Sequence, residues 1–256
     1  MTKSNVQKQF GKNANAYVTS NIHRLGNDLQ KLVEITNTNG QEIVLDIATG
    51  GGHVANALAP HVKQVTALDI TKEMLQEAEK FIKSNGHTNV DFVEGNGEKL
   101  PFSSNSFHIV TCRIAPHHFT NIDSFVSEVA RVLIPGGQFL LDDNVAPEDN
   151  ELDMFYNTVE KKRDYSHYRA WKKTEWIKLL EEKGFVIEEL HRFEKTFIFE
   201  DWCNRMQLHH QEKEALEQFM LDAPLKAKHH FQIKENDKQI ISFQGEAVLI
   251  KAVKQG

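Results

Sequence analysis

Cysteine is nearly absent. Cys112 and Cys203 are the two in 256 residues, too few and too far apart for a disulfide framework, and they fit a reducing compartment. No run of about 18 apolar residues occurs, so neither a spanning helix nor stable membrane insertion is expected. The opening MTKSNVQKQF lacks the apolar core of a signal peptide, which points to a cytoplasmic protein. Basic charge is scarce relative to acid: 30 Lys and Arg stand against 36 Asp and Glu, a net charge of −6. That balance argues against a nucleic-acid partner, which rewards basic clusters. No internal repeat or low-complexity tract appears. No Gly-Lys-Ser/Thr follows the glycines, so a P-loop is excluded, and no Gly-x-Ser-x-Gly elbow is present. Three His-His pairs (His117-His118, His209-His210, His229-His230) lack HExxH or paired CxxC spacing, so no metal site is expected.

What is present centres on Val44-Leu45-Asp46-Ile47-Ala48-Thr49-Gly50-Gly51-Gly52. An apolar run broken by one acid suits a strand buried on both faces. The glycines allow a tight turn and close approach of a ligand to bare backbone. A short apolar helix follows and stops before Pro60. This layout aims backbone N–H groups at an anionic or polar ligand. A second strand, Val65 to Asp69, ends in an acid placed to accept both hydroxyls of a ribose, or else simply at the surface. Thr71 is positioned to cap the next helix, which buries Met74, Leu75, Ala78, Phe81 and Ile82. Third and fourth strands are expected at Val90–Val93 and Phe107–Cys112. A helix near 123–133 and a fifth strand near Gln138–Leu141 come next.

The loop Arg113 to Phe119 leaves the fourth strand where an open α/β sheet places its ligand crevice. Arg113 either meets the ligand or pairs with an acid. His118 and then His117 are the candidate general bases, because histidine titrates near neutrality; the alternative is two helix-start histidines with no chemistry. Asp142, Asp143 and Asn144 either bind an acceptor or cap a turn.

The glycine stretch resembles motif I of the class I S-adenosylmethionine (SAM) dependent methyltransferases, apolar-apolar-acid-apolar-Gly-x-Gly-x-Gly. Asp46 is the acid, and Ala48, Gly50 and Gly52 occupy the glycine positions. The alanine keeps the backbone approachable but is not expected at positive φ. Gly95-Asn96-Gly97-Glu98-Lys99-Leu100-Pro101-Phe102 is similar to the family's Gly-Asp-Ala-Glu-x-Leu-Pro-Phe. Asn96 replaces the Asp that accepts from the adenine amino group; it keeps the acceptor oxygen and loses the charge. Arg131-Val132-Leu133-Ile134-Pro135-Gly136-Gly137 also resembles the family. The resemblance spans about residues 40–145 and the last strand, and is to small-molecule enzymes similar to the ubiquinone/menaquinone biosynthesis C-methyltransferases.

It implies S-adenosyl-L-methionine as cofactor and S-adenosyl-L-homocysteine (SAH) as product. Asp46 with Ala48, Thr49, Gly50 and Gly52 would hold the methionine end, and Asp69 the ribose. The loop Gly95, Asn96, Gly97 and Glu98 would hold the adenine, with Ile70 and Met74 flanking the purine. Arg113 would border the methionine part, and Tyr17 would close over the cofactor. A small-molecule acceptor, quinone-like or phenolic, is the expected partner.

The expected fold class is α/β, with a Rossmann-like seven-stranded, mostly parallel sheet and an antiparallel last strand. Helices cover both faces, and a helical lid is inserted. One domain spans 1–256: N-terminal helices in 1–40, a SAM-binding core in 41–145, a lid or acceptor region in 150–172 and 195–235, and the final strand in 240–253. Residues 150–172 read as irregular and aromatic-rich. The 195–235 stretch is either a lid or a packed helical insertion. Two other functions remain. Gly50-x-Gly52-x-x-Ala55 with Asp69 also satisfies the dinucleotide fingerprint of an NAD(P)-binding oxidoreductase. The Ala48 and Asn96 departures also allow a SAM-binding protein without catalysis.

Overall fold

The computed structural model describes residues 6, 7, 9, 26–236 and 238–256. Tyr17 and most of the 1–25 stretch lie outside the described residues. Helix α1 (Asn27–Ile35) buries Leu29, Leu32 and Ile35 and ends where the Thr36 hydroxyl donates to the Leu32 carbonyl. Four parallel strands follow: β1 (Ile43–Ile47), β2 (Gln64–Asp69), β3 (Val90–Glu94) and β4 (Phe107–Arg113). They alternate with α2 (His53–Leu58), α3 (Lys72–Ser84) and α4 (Ile122–Val132).

Strand β5 (Leu133–Val145) extends the parallel set. Then come α5 (Asn150–Arg163), α6 (Lys173–Glu182) and β6 (Phe185–Ile198). Three short helices lead to the end of the chain: α7 (Phe199–Asn204), α8 (His210–Leu221) and α9 (Leu225–His230). A short β7 (Lys234–Asn236) and the long β8 (Gln239–Lys254) close it. The strand order is β3-β2-β1-β4-β5-β8-β6, with β7 paired to β8. Strand β8 runs antiparallel to both β5 and β6. The sheet is therefore the expected mostly parallel one with its antiparallel last strand, plus the small β7.

Adjacent residues of the central strands feed opposite cores, which is why these strands read as unbroken apolar runs. Leu45, Val110 and Leu141 pack with Phe125 and Val129 of α4 and Trp176 of α6. Their neighbours Val44, Ile109 and Leu140 pack with Leu32 of α1, Leu58 of α2 and Ile82 of α3. The strands' carboxyl ends converge on one edge, where ligands of open α/β sheets bind.

Several boundaries differ from the sequence reading. Residues 150–163 form a regular helix. Asp149 caps it by accepting from the N–H groups of Glu151 and Leu152. Acids in its first turn and Lys161, Lys162 and Arg163 in its last complement the helix dipole. Thr71 occupies the N-cap of α3, but its hydroxyl makes no cap bond. The Asp69 carboxylate instead accepts the Thr71 N–H at 2.8 Å. Strand β5 starts at Leu133, and Pro135-Gly136-Gly137 lie within it near a register shift against β4. Gly245 sits inside β8, where a Cβ would approach Phe197 Cε2 to 3.0 Å. Among the described residues no helix is long and apolar enough to cross a membrane.

Candidate active site

A cavity of ≈ 270 Å³ opens at the carboxyl edge of β1, β2 and β4. That volume is close to the lower end of the usual range for small-ligand pockets. Its floor is the turn after β1. Thr49 N–H donates to Leu68 O at 2.9 Å, and its hydroxyl donates to Asp46 Oδ2 at 2.6 Å. Asp46 Oδ1 takes the Thr111 hydroxyl of β4 at 2.7 Å. Asp46 thus ties β1, β4 and the turn together; burial raises its carboxyl to about 6 against those two bonds.

The turn departs from expectation in two ways. Ala48 adopts φ 54°, a left-handed conformation costing about 1–2 kcal/mol in an L-residue. The Thr49 bonds on either side hold it there. Across the cavity, β-branched Ile114 adopts φ 52°, its N–H fixed to Asp142 O at 2.7 Å. Strained residues of this kind cluster at functional sites. The glycine N–H groups are also largely committed within the fold. Gly50 N–H donates to Asp69 Oδ2 at 3.0 Å, and Gly52 N–H to Thr49 O at 2.9 Å. Few donors of the turn are left for a pyrophosphate.

Asp69, at the end of β2, is 7 % exposed and lines the cavity. Burial raises its carboxyl, opposed by the backbone donors of Thr71 and Gly50. Ile70 and Met74 form an apolar wall beside it. Opposite stand Gly95, Asn96, Gly97 and Glu98. Asn96 Oδ1 accepts the Glu98 N–H at 2.9 Å, shaping this loop, and Glu98 accepts the Asn121 N–H at 2.6 Å. Gly97 lets the loop pack closely on its neighbours: a Cβ there would lie 2.9 Å from Ile47 Cγ2 and 3.1 Å from Phe119 Cζ.

Three expected contacts are placed differently. Gly52 is not among the lining residues. It takes φ 79° where α2 meets α3, and a Cβ there would sit 2.9 Å from Ile82 Cδ1. Arg113 borders the cavity, but its guanidinium is pledged to Asp142 Oδ2 at 3.0 Å and Asp28 Oδ2 at 2.9 Å. His118 lines the cavity whereas His117 does not. Sequence reasoning missed Val6, Ile114, Phe119 and His53, which also line it. Gln7, beside Val6, donates through Nε2 to Ile70 O at 2.8 Å and so holds these two residues at the cavity. No spacing rule links residue 6 to residue 70. Phe119 and Ile114 lay inside the loop already singled out. None of the lining residues comes from 195–235.

The residues fit a nucleoside sulfonium. Among the described lining residues three carboxyl groups, of Asp46, Asp69 and Glu98, stand against one arginine that is paired with two acids, which suits a cationic ligand and not a pyrophosphate.

Residues 45–141 match the family model described as a methyltransferase domain. The uncharacterised methyltransferase YcgJ of Bacillus subtilis is 35% identical over 96% of this chain and 98% of its own length. A solved Bacillus halodurans structure assigned to the methyltransferases is 55% identical, covers 90% of this chain and 100% of its own, and superposes with a TM-score of 0.88. The ubiquinone/menaquinone biosynthesis C-methyltransferase UbiE of Rickettsia prowazekii is 33% identical over 56% of this chain and 59% of its own. With this sheet, this cavity and a full-length relative of that kind, the chain belongs to the class I SAM-dependent methyltransferases.

Proposed function

We propose that the cavity holds SAM and that the chain methylates a small-molecule acceptor, quinone-like or phenolic, arriving on the His118 side. One observation carries this: Asp46 of β1, Asp69 at the end of β2, the glycine turn and His118 all face a single cavity. Asp69 receives the ribose hydroxyls through the lone pairs its two backbone donors leave. Asn96 with Gly95, Gly97 and Glu98 takes the adenine, and Ile70 and Met74 flank it. Ala48, Thr49 and Gly50, braced by Asp46, take the methionine end. The name of the Rickettsia prowazekii relative supports the quinone-like acceptor.

Bound SAM supplies a methyl group already activated on a sulfonium: the bond from acceptor to methyl forms as the carbon–sulfur bond breaks, and the electron pair stays on sulfur. The protein's part is alignment and, for an acceptor that must lose a proton, a base. His118 Nδ1 faces Ser166 O at 3.2 Å; a carbonyl only accepts, so the proton sits on Nδ1 and Nε2 carries the lone pair. Burial and the neighbouring His117 push its pKa down to about 4, so the ring is neutral at pH 7. Asp164 Oδ2, 3.9 Å from Nε2, stabilises the imidazolium formed when His118 takes a proton. His117 differs: burial opposes its charge, but Asp143 prevails and raises its pKa.

His118→Ala is expected to lower turnover by about 100-fold, the usual scale of a lost general base, with SAM affinity unchanged. Quantifying SAH release beside calorimetry checks this. Full activity in the variant would remove His118 as the base.

A further inference from the structure

The methionine end of SAM brings the ligand's one anionic group, a carboxylate, into a cavity already lined by Asp46, Asp69 and Glu98. Like charges at close range repel, so a hydrogen-bond donor or a cation has to meet that carboxylate. Among the described residues three basic side chains line the cavity: His53, Arg113 and His118. Arg113 is already matched by Asp142 and Asp28. His118 belongs to the loop after β4, with its Nδ1 on Ser166 O. His53 is the basic residue that follows the glycine turn after β1, where the methionine end is placed.

His53 is the first residue of α2, directly after Gly52, and is 7% exposed. Phe81 of α3 meets its ring edge to face, with centroids 5.3 Å apart at 64°. The imidazole is thus held at the cavity wall and loses little freedom when it meets a ligand. Gly51 adds a second donor. It is buried and lines the cavity. The N–H groups of Thr49, Gly50 and Gly52 are committed to Leu68 O, Asp69 Oδ2 and Thr49 O. The Gly51 N–H meets no protein acceptor among the described residues. Buried backbone N–H groups are rarely left without an acceptor, and an anionic ligand group supplies one. A carboxylate only accepts, and its two oxygens can take a backbone N–H and an imidazole N–H together.

Resting on the reading above, we propose that His53, with the Gly51 N–H, seats the methionine carboxylate of the cofactor. His53 then makes the cavity select adenosyl thioethers that carry a carboxylate over those that lack it.

The test uses the full-length protein and two probes: SAH, and S-adenosyl-3-thiopropylamine, the same molecule without its carboxylate. Calorimetry reads both affinities. The parent is expected to bind SAH the more tightly. His53→Phe keeps a ring against Phe81 and loses both nitrogens. It is expected to weaken SAH by about tenfold or more, the scale of a lost hydrogen bond to a charged group, and to leave the thiopropylamine within about twofold of the parent. His53→Gln keeps an N–H donor, so its SAH affinity should fall between parent and phenylalanine. Should His53→Phe not fold, His53→Leu, which also lacks a donor, is read in the same way. Equal parental affinity for the two probes would overturn the proposal, and so would unchanged SAH affinity in the donorless variant. An equal loss of both probes would mark His53 as packing alone and would overturn it too. Failure of the parent to bind SAH at all would overturn the cofactor reading itself, and it is scored on the parent before any variant is made.

Discussion

Asp69→Ala is expected to weaken SAM binding by ~100-fold or more, read by calorimetry. Hydrogen bonds to a charged group contribute about 1.5–3 kcal/mol each, and a ribose offers two hydroxyls to this carboxylate. The substitution also releases the Gly50 N–H, held at 3.0 Å, and the Thr71 N–H, held at 2.8 Å. The turn after β1 and the start of α3 would both lose their common anchor. Asp69→Asn keeps one acceptor oxygen and should fall between parent and alanine. Parent-like affinity in the alanine variant would contradict the ribose role.

The second large effect concerns Arg113. Its guanidinium bridges Asp142 of β5 and Asp28 of α1, with side-chain exposures of 5% for Arg113, 0% for Asp142 and 5% for Asp28. Lys195 of β6 approaches Asp28 Oδ2 at 3.3 Å. Burial works against the charge of Asp28, but Lys195 and Arg113 outweigh it and hold its carboxyl low. Burial leaves Asp142 at about 7. Arg113→Met removes a cation from between two buried acids, a change that costs about 3–5 kcal/mol. Urea denaturation at pH 8 checks it, and a loss below about 1 kcal/mol would contradict the network's importance by the same principle. The loss should shrink as pH falls below 7. Asp142 has a folded pKa raised above its unfolded value, so it takes up a proton in the folded state and then no longer needs the cation.

Arg113 also marks where the sequence stopped being legible. The fourth-strand loop was readable as a ligand edge, because parallel strands announce themselves as apolar runs and their ends form the crevice. The partner of Arg113 was not. Asp28 lies 85 residues earlier on helix α1, and no local period connects it to the end of β4. Helix α3 was readable because its buried Met74, Leu75, Ala78 and Ile82 recur at helical spacing. Helix α5 was not, because its buried face includes Asp153 and Glu160, whose charge hides the period. Ala48 misled for a related reason. Intrinsic preference forbids its left-handed backbone, and bonds from Thr49 to Leu68 and Asp46 impose it. Within the site, residues arriving in one contiguous motif were visible. Val6 was not, since nothing in the spacing of the chain brings it to a cavity whose other walls begin at Asp46.

The cavity's charge balance separates the two cofactor chemistries most sharply, and equilibrium dialysis with labelled ligands reads the difference directly. SAM and SAH should each saturate one site on the full-length chain, compete with each other, and be unaffected by excess NAD or NADH. Uptake of NAD or NADH with neither SAM nor SAH retained would contradict the assignment of this cavity.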